Sequence, residues 1–434
     1  MESEKPKRNI FPSKFLWGAS TASHQVEGGT YNQWTVWELE HANRLAKNAA
    51  RRAPNSATYT RFDQLPNWSA IKHDAQDPAN YISGEGVKHY SRYKEDLTLL
   101  KKLNLNSFRF GIEWSRLEPR EGEWDLEAFE HYRDYIKEIN RLGIEPFLNI
   151  WHWTLPVWFS EKSGFEKKEN LKYWDRFVEK IGDEYGSMVR YVITINEPNV
   201  YSTFSYALGL WPPQQKDWIK TSRVIWNLVL AHRRAYKILK KMHPKLQIGI
   251  AQQVGNIQAK RQHNLFDQIS TKLMRYFWNW WMYRRIRHQQ DFVGFNYYFT
   301  DYYTGMFKRH DPGVPTNDMG WYMEPEGLYP LLLRIAAKYP DKPIFITENG
   351  VADSTDEYRR WWLEETIVAM ERAISEGVDL QGYFHWSLLD NFEWDSGWWA
   401  KFGLVEVDRK NDMKRTIRPS AKWFAAKIKQ FTEE

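Results

Sequence analysis

Two glutamates that follow runs of apolar and β-branched residues are the side chains in this sequence most suited to chemistry. Glu348 lies in "IFITENG" and Glu197 lies in "VITINEPN". A carboxyl group at the end of a buried strand can act as a nucleophile or as a general acid and base. Each glutamate taken singly could instead cap a following helix or form a structural ion pair. Their repetition in two similar contexts favours one shared catalytic site.

Two carboxyl groups that share one cavity can divide nucleophilic and acid–base work between them. In enzymes that use such a pair, the two groups can lie as close as about 5 to 5.5 Å. Two negative charges at that distance repel by about 3 kcal/mol if the effective dielectric is about 20. This repulsion corresponds to about two pKa units. We therefore expect one carboxyl group of the pair to keep its proton.

The elements that must position these groups alternate along the chain. Amphipathic segments such as 89–104 and 126–143 have apolar residues at intervals of three and four, which predicts helices. Short β-branched or aromatic runs predict eight strands, at 15–20, 107–114, 145–153, 191–198, 246–254, 291–298, 342–349 and 380–389. This alternation predicts an α/β fold, a (β/α)8 TIM barrel forming a single domain over residues 1–434. Because the active site of such a barrel lies at the carboxyl ends of its strands, Glu197 and Glu348 should face one central cavity.

Composition excludes several classes of protein. With 42% hydrophobic and 27% charged residues, the chain has the make-up of a soluble globular protein. The N-terminal stretch lacks the apolar run of a secretory signal, which predicts a cytoplasmic location. The absence of cysteine excludes disulfides and a cysteine nucleophile. The 61 basic and 55 acidic residues form no dense basic block, so we expect no nucleic-acid partner and no obligatory membrane. The 24 tryptophans supply flat faces of the kind that suit sugar rings.

Ordered motifs over most of the chain resemble those of glycoside hydrolase family 1, the β-glucosidase and β-galactosidase type. They are "FPSKFLWGASTASHQVEGG", "FRFGIEWSRLEP", "WHWTLP", "INEPN", "DFVGFNYY", "ITENG" and "GYFHWSLLDNFEWDSGWWAKFGLVEVD". The resemblance implies a retaining β-glycosidase in which Glu348 is the nucleophile and Glu197 the acid and base. It implies double displacement through a covalent glycosyl-enzyme intermediate.

The same resemblance assigns roles to further residues. Arg109 would pair with Glu348 and keep it ionised, and Tyr298 would donate a hydrogen bond to the same carboxylate. Asn196 would contact the sugar 2-hydroxyl, where hydrogen bonds strengthen in the transition state. The other residues expected to bind substrate are Gln25, His152, Trp153, Asn296, Trp386, Glu393 and Trp394, with Trp321 at the leaving-group site. For Trp321, local packing of a surface loop is an equally good interpretation.

Glu393 bears on the choice of substrate. Its carboxylate would lie near the sugar 4- and 6-hydroxyls, where a 6-phosphate would meet a like charge. We therefore expect an unphosphorylated β-glycoside or short oligosaccharide, cleaved at its terminal non-reducing glucose, with galactose or fucose as alternatives. A catalytically weak carbohydrate-binding protein and a transglycosylase are the competing functions. A metal-dependent hydrolase has no supporting ligand spacing, so we expect neither a metal nor another cofactor.

Two segments depart from the regular alternation. Residues 38–83 are polar and lack sustained periodicity, which predicts an irregular insertion after the first strand. Residues 253–291 are short for the family, which suggests a missing barrel helix or rim loop and a partly uncovered cavity. Within them, the basic and aromatic stretch 272–288 predicts either a helix packed on the barrel wall or an apolar contact with a membrane or partner.

Overall fold

The computed structural model describes residues 10–52, 61–309 and 313–433, and its centre is a closed barrel of eight parallel strands. The strands are β1 (Leu16–Ser20), β2 (Ser107–Gly111), β3 (Glu145–Asn149), β4 (Tyr191–Asn196), β5 (Gln247–Gln253), β6 (Val293–Tyr297), β7 (Ile344–Asn349) and β8 (Leu380–Trp386). Each strand pairs with its neighbours in sequence, and β8 closes the barrel against β1. The predicted (β/α)8 fold and all eight predicted strands are confirmed.

Helices cover the outside of the barrel, and helices such as Leu126–Arg141 pack on it through one apolar side. Leu126–Arg141 begins where the Asp125 side chain accepts a hydrogen bond from the Ala128 N–H, and it buries Phe129 and Ile136. The α-helices are Ser23–Val26, Gln33–Lys47, Trp68–Ala75, His89–Lys102, Trp114–Leu117, Leu126–Arg141, Val157–Glu161, Leu171–Tyr185, Pro198–Ser202, Trp218–Met242, Leu265–Arg275, Trp281–Ile286, Leu328–Lys338, Arg359–Ser375 and Pro419–Glu433. Within the described ranges, none of them is both long and apolar enough to cross a membrane.

Shorter elements decorate the loops. In the described part of the chain, two π-helical turns are Thr203–Ala207 and Tyr276–Trp280. The described residues also include five strands outside the barrel, which form two small sheets, with Asn256–Ala259, Thr300–Thr304 and Phe307–Lys308 in one and Val405–Asp408 and Lys414–Ile417 in the other. The 3₁₀ turns are Ala49–Arg51, Phe62–Gln64, Pro78–Tyr81, Gly164–Glu166, Lys168–Asn170, Pro325–Gly327 and Trp394–Ser396.

Aromatic rings fill the amino-terminal half of the barrel interior. Phe147 stacks on Tyr191 with ring centroids 4.3 Å apart and lies 4.8 Å from the ring of Phe384. Phe292 and Phe345 complete this buried cluster. Because these rings fill the amino-terminal half of the interior, the inward-facing polar residues gather at the carboxyl ends of the strands, where the active site of such a barrel lies.

The two atypical segments are more regular than the sequence suggested. Residues 38–47 continue a helix, and Trp68–Ala75 forms another. The expectation of an irregular insertion is therefore wrong for these two parts. Tertiary contacts can stabilise helices whose sequences lack a strong periodic pattern. After β5, Leu265–Arg275 and the turns that follow it form a helical run, so no barrel helix is missing. The N-terminal residues 1–9 and residues 53–60 lie outside the described part. The single-domain assignment stays a prediction.

Candidate active site

Both glutamates lie where the regular pairing of their strands breaks. The register between β4 and β5 shifts between Ile193 and Asn196, just before Glu197, and that between β7 and β6 shifts between Ile346 and Glu348. Such irregularities redirect side chains and are common beside active sites. Glu197 also has a left-handed φ of 42°. Because this conformation costs a non-glycine residue about 1–3 kcal/mol, the surrounding packing must hold it in place.

Two donors hold the Glu348 carboxylate, one in β2 and one directly after β6. Arg109 Nη1 forms an ion pair with Glu348 Oε1, and the Tyr298 hydroxyl donates a 2.5 Å hydrogen bond to Oε2. Arg109 is fully buried and also donates through Nη2 to Asn196 Oδ1 at 2.6 Å. Burial, and after it the charge of Glu348, raises the pKa of Tyr298 well above its ordinary value, so the phenol remains a donor. The cation and the phenol together stabilise a negative charge on Glu348.

The Glu197 carboxyl group has a different environment. Its Oε1 accepts a 2.7 Å hydrogen bond from Asn296 Nδ2, and its backbone N–H donates to the Ala251 carbonyl at 2.6 Å. Burial, and after it the negative charge of Glu348, raises the pKa of Glu197 well above its ordinary value. A proton on Glu197 is therefore favoured whenever Glu348 is charged.

An amide and an imidazole form the wall behind the carboxyl groups. Asn196 Oδ1 accepts hydrogen bonds from Arg109 and, at 3.3 Å, from Asn296 Nδ2. Asn196 Nδ2 lies 2.9 Å from His152 Nε2. Burial, and after it the charge of Arg109, lowers the pKa of His152 well below its ordinary value, so its neutral ring can accept this hydrogen bond. These contacts fix the orientation of both side chains.

Gln25 and Glu393 form a polar corner on the other side. Gln25 Nε2 donates to the Phe392 carbonyl at 2.7 Å and to Glu393 Oε2 at 3.3 Å. Gln25 Oε1 is buried and has no hydrogen-bond partner among the described residues. A buried acceptor left unpaired costs about 1–3 kcal/mol, which a donor hydroxyl of a bound molecule would recover. Burial raises the pKa of Glu393 to about 8, with Glu348 and Asp395 acting in the same direction.

A cleft opens over the two glutamates and brings the predicted site residues together. Those that line it are His152, Trp153, Glu197, Tyr298, Trp321, Glu348, Trp386, Glu393 and Trp394. Arg109, Asn196, Gln25 and Asn296 are instead joined to this set by the hydrogen bonds described above. The roles of these residues in binding and catalysis stay predictions.

Indole rings form much of the cleft wall. The ring of Trp394 lies 4.8 Å from that of Trp153, whose N–H donates to the Asn196 carbonyl at 3.0 Å. Trp153 therefore offers the cleft only its ring. Trp321 meets the ring of Tyr298 edge-on at 5.6 Å. Trp321 thus packs locally and also lines the cleft, and its place at the leaving-group site stays a prediction.

Several cleft residues were not named from the sequence. They are Val200, Phe204, Trp211, Gln253, Trp278, Phe299, Met319, Asp395, Ser396 and Phe402. Phe299 and Asp395 directly follow the predicted residues Tyr298 and Trp394, so adjacency could have found them. Trp211 does not lie beside any predicted site residue in the sequence. Its Nε1–H donates a 2.8 Å hydrogen bond to Asp395 Oδ1, a residue far from it along the chain.

Comparison with known proteins identifies the family of the chain. The family model for glycosyl hydrolase family 1 matches residues 7–287 and 282–432. Beta-glucosidase A of Thermotoga maritima is 29% identical over 470 aligned residues, covering 96% of this chain and 98% of the relative. The solved structure of a β-glycosidase from Pyrococcus horikoshii superposes with a TM-score of 0.82 at 30% identity, covering 97% of this chain and 95% of that one.

A second solved structure contains a ligand. The Thermotoga maritima β-glucosidase in complex with glucoimidazole matches with a TM-score of 0.82 at 28% identity, covering 97% of this chain and 99% of that one. The family model spans nearly all of the chain, and the two solved structures have the same barrel fold as this chain. The chain therefore belongs to glycosyl hydrolase family 1 and is an O-glycosyl hydrolase of the β-glucosidase type.

Proposed function

We propose that this protein is a retaining β-glycosidase that removes the terminal non-reducing β-D-glucosyl residue from unphosphorylated β-glycosides. The observation that carries the proposal is the unequal surroundings of the two carboxyl groups. Glu348 contacts a guanidinium and a phenol, whereas Glu197 contacts an amide and has a raised pKa. One group is thus prepared to attack as an anion and the other to donate a proton.

In the first step Glu348 attacks the anomeric carbon as the bond to the aglycone oxygen breaks. Glu197 gives its proton to that oxygen, so the aglycone leaves as an alcohol. The new ester bond between the sugar and Glu348 removes the negative charge that raised the pKa of Glu197. Glu197 then loses its preference for the proton and becomes a base.

In the second step Glu197 takes a proton from a water molecule, whose oxygen attacks the anomeric carbon. The ester bond to Glu348 breaks, and its carboxylate returns to the contacts with Arg109 and Tyr298. Two inversions at one carbon retain the β configuration.

The polar corner supports glucose as the sugar. The side chains of Glu393 and Gln25 lie side by side, and each can bind a sugar hydroxyl. Gln25 Oε1 can accept a hydrogen bond from such a hydroxyl, since it has no partner among the described residues. A 6-phosphate here would enter a corner formed by the carboxyl groups of Glu393 and Asp395, and the described residues that line the cleft include no Lys or Arg to bind it. Glucoimidazole, the ligand of the related Thermotoga maritima structure, supports a small glucose-like partner. A galactoside and a fucoside remain the alternative substrates. The cytoplasmic location of the protein stays a prediction.

The test compares wild type, Glu348→Gln and Glu145→Gln on aryl β-glucoside, β-galactoside, β-fucoside and 6-phospho-β-glucoside. Glu145 begins β3 at the opposite end of the barrel, so its variant controls for the same chemical change. We expect Glu348→Gln to lose on the order of a thousandfold or more in kcat, and the control to keep wild-type rates.

Proton NMR of the first product identifies the stereochemistry. Release of β-glucose before mutarotation supports double displacement. Release of α-glucose, or a Glu348→Gln variant with wild-type kcat, would contradict the mechanism, and a preference for the phosphorylated substrate would contradict the proposed sugar.

A further inference from the structure

The helix Leu265–Arg275 has its polarity reversed with respect to the barrel. It buries Asp267, Ser270 and Thr271, whereas apolar side chains at intervals of three and four point outward. The outward residues are Leu265, Phe266, Ile269, Leu273 and, in the next turn, Phe277, which are between 52 and 74% exposed. A surface helix normally turns its apolar side to the core. Packing among the residues that the structure describes therefore does not explain the pattern.

A neighbouring hairpin extends the same exposed surface. Met306, in the turn after Thr300–Thr304, is 70% exposed, and Phe307, which begins the next strand, is 72% exposed. The Gly305 N–H donates a 2.8 Å hydrogen bond to Asp267 Oδ1, which ties the hairpin to the helix. Together the five helical residues and these two form what we call the apolar face. Contiguous exposed apolar surface of this kind marks an interaction site.

The stretch of chain that carries the apolar face has a positive net charge. Residues 260–309 contain nine Lys and Arg side chains against three Asp, an excess of six, while the rest of the chain contains 52 of each sign. The excess of six basic residues in this stretch therefore equals the formal net charge of +6 of the whole chain. Lys272, between the apolar residues of the helix, and Arg309, beside the hairpin, are both exposed.

We propose that the apolar face docks on the surface of a bilayer that contains anionic phospholipid. Apolar side chains that enter the headgroup region, flanked by Lys and Arg that meet lipid phosphates, are the features of interfacial helices. A second copy of this chain is a poorer occupant, because a two-fold dimer across the face would bring both positive surfaces together. An anionic bilayer satisfies both the apolar and the charged part of the face.

Docking there would place the mouth of the cleft next to the bilayer. Phe277 directly precedes Trp278, which lines the cleft, and Lys308 Nζ lies 5.6 Å from the ring of Phe299, another lining residue. Given the proposed glycosidase function, a β-glucoside whose apolar aglycone partitions into lipid would reach the cleft from the membrane side. Lipid binding itself does not depend on that function.

Vesicle flotation tests the docking. The wild-type protein should float with vesicles of phosphatidylcholine and phosphatidylglycerol, and far less with phosphatidylcholine alone. The triple variant Ile269→Gln/Leu273→Gln/Phe277→Gln should bind the anionic vesicles about tenfold more weakly or worse, because three inserted side chains are lost. Lys272→Gln should weaken binding about fivefold, and added salt should weaken it further.

A matched triple variant, Leu39→Gln/Leu126→Gln/Val368→Gln, replaces apolar residues that are 50 to 69% exposed elsewhere, and it should bind like wild type. In the absence of vesicles, both triple variants should hydrolyse a soluble aryl glucoside at the wild-type rate. This readout separates failure of docking from failure of the proposed function. Wild-type protein that ignores anionic vesicles, or a face variant that binds them normally, would overturn the proposal. So would a dimer in sedimentation experiments that the face variant disrupts.

Discussion

The Thr347 hydroxyl donates a 2.6 Å hydrogen bond to Asn296 Oδ1, and this contact decides which way the Asn296 amide faces. With its oxygen held by Thr347, the amide directs Nδ2 at Glu197 Oε1, 2.7 Å away, and at Asn196 Oδ1, 3.3 Å away. Both of those atoms are acceptors, so only the nitrogen fits between them. Thr347 thus acts on the acid and base residue through Asn296, although it is the chain neighbour of Glu348.

Thr347→Val should therefore alter the titration of Glu197. The hydrogen bond from Asn296 lowers the pKa of Glu197 against the opposing effect of burial, so loosening it should raise that pKa further. The alkaline limb of the kcat/KM profile should move to higher pH by about one unit or less, since one hydrogen bond contributes about 0.5–1.5 kcal/mol. Thr347→Ser retains the hydroxyl and should keep the wild-type profile. Identical profiles for Val and Ser would refute this positioning role.

Glu197→Gln should affect substrates according to their leaving groups. The amide cannot protonate the departing oxygen, so aryl glucosides with strongly acidic phenols should still glycosylate Glu348, whereas alkyl glucosides should lose about 10² to 10⁴-fold in kcat/KM. The measurement is kcat/KM plotted against the pKa of the leaving group. A uniform loss across the series would argue against the acid role.

Glu393→Gln should flatten the dependence of stability on pH. The folded-state pKa of about 8 exceeds the ordinary value of 4.5, so the folded protein binds a proton that the unfolded chain releases. The resulting stabilisation is present at low pH and is lost as pH rises toward 8. The melting temperature of wild type should fall over this window more steeply than that of the variant. Glu406→Gln, at an exposed position, is the control and should fall as wild type does.

Phe147→Ala should destabilise the barrel without touching the cleft. The ring packs against Tyr191 and Phe384 inside the barrel. Its removal leaves a cavity, and the closed sheet cannot contract to fill it. Denaturant unfolding should show a loss of about 3–5 kcal/mol, and Phe147→Leu a smaller one. A cost below about 1 kcal/mol for the alanine variant would mean that the interior repacks freely.

Motifs close to the strand ends were the predictable part of the site. Glu197, Glu348 and their polar neighbours follow β-branched runs, so a barrel that places all carboxyl ends on one side must bring them together. Trp211 and Thr347 were not predictable in this way. Trp211 reaches the cleft through a loop, and the role of Thr347 depends on a side-chain contact with another strand.

By itself, the sequence determined the fold, because hydrophobic periodicity and strand composition are local properties of each segment of the chain. It also determined that two glutamates share one end of the barrel. Only the tertiary structure decided their register shifts, the left-handed backbone at Glu197 and the outward turn of the apolar helix Leu265–Arg275. These features arise from packing between segments distant in the chain, where long-range contacts override local preference.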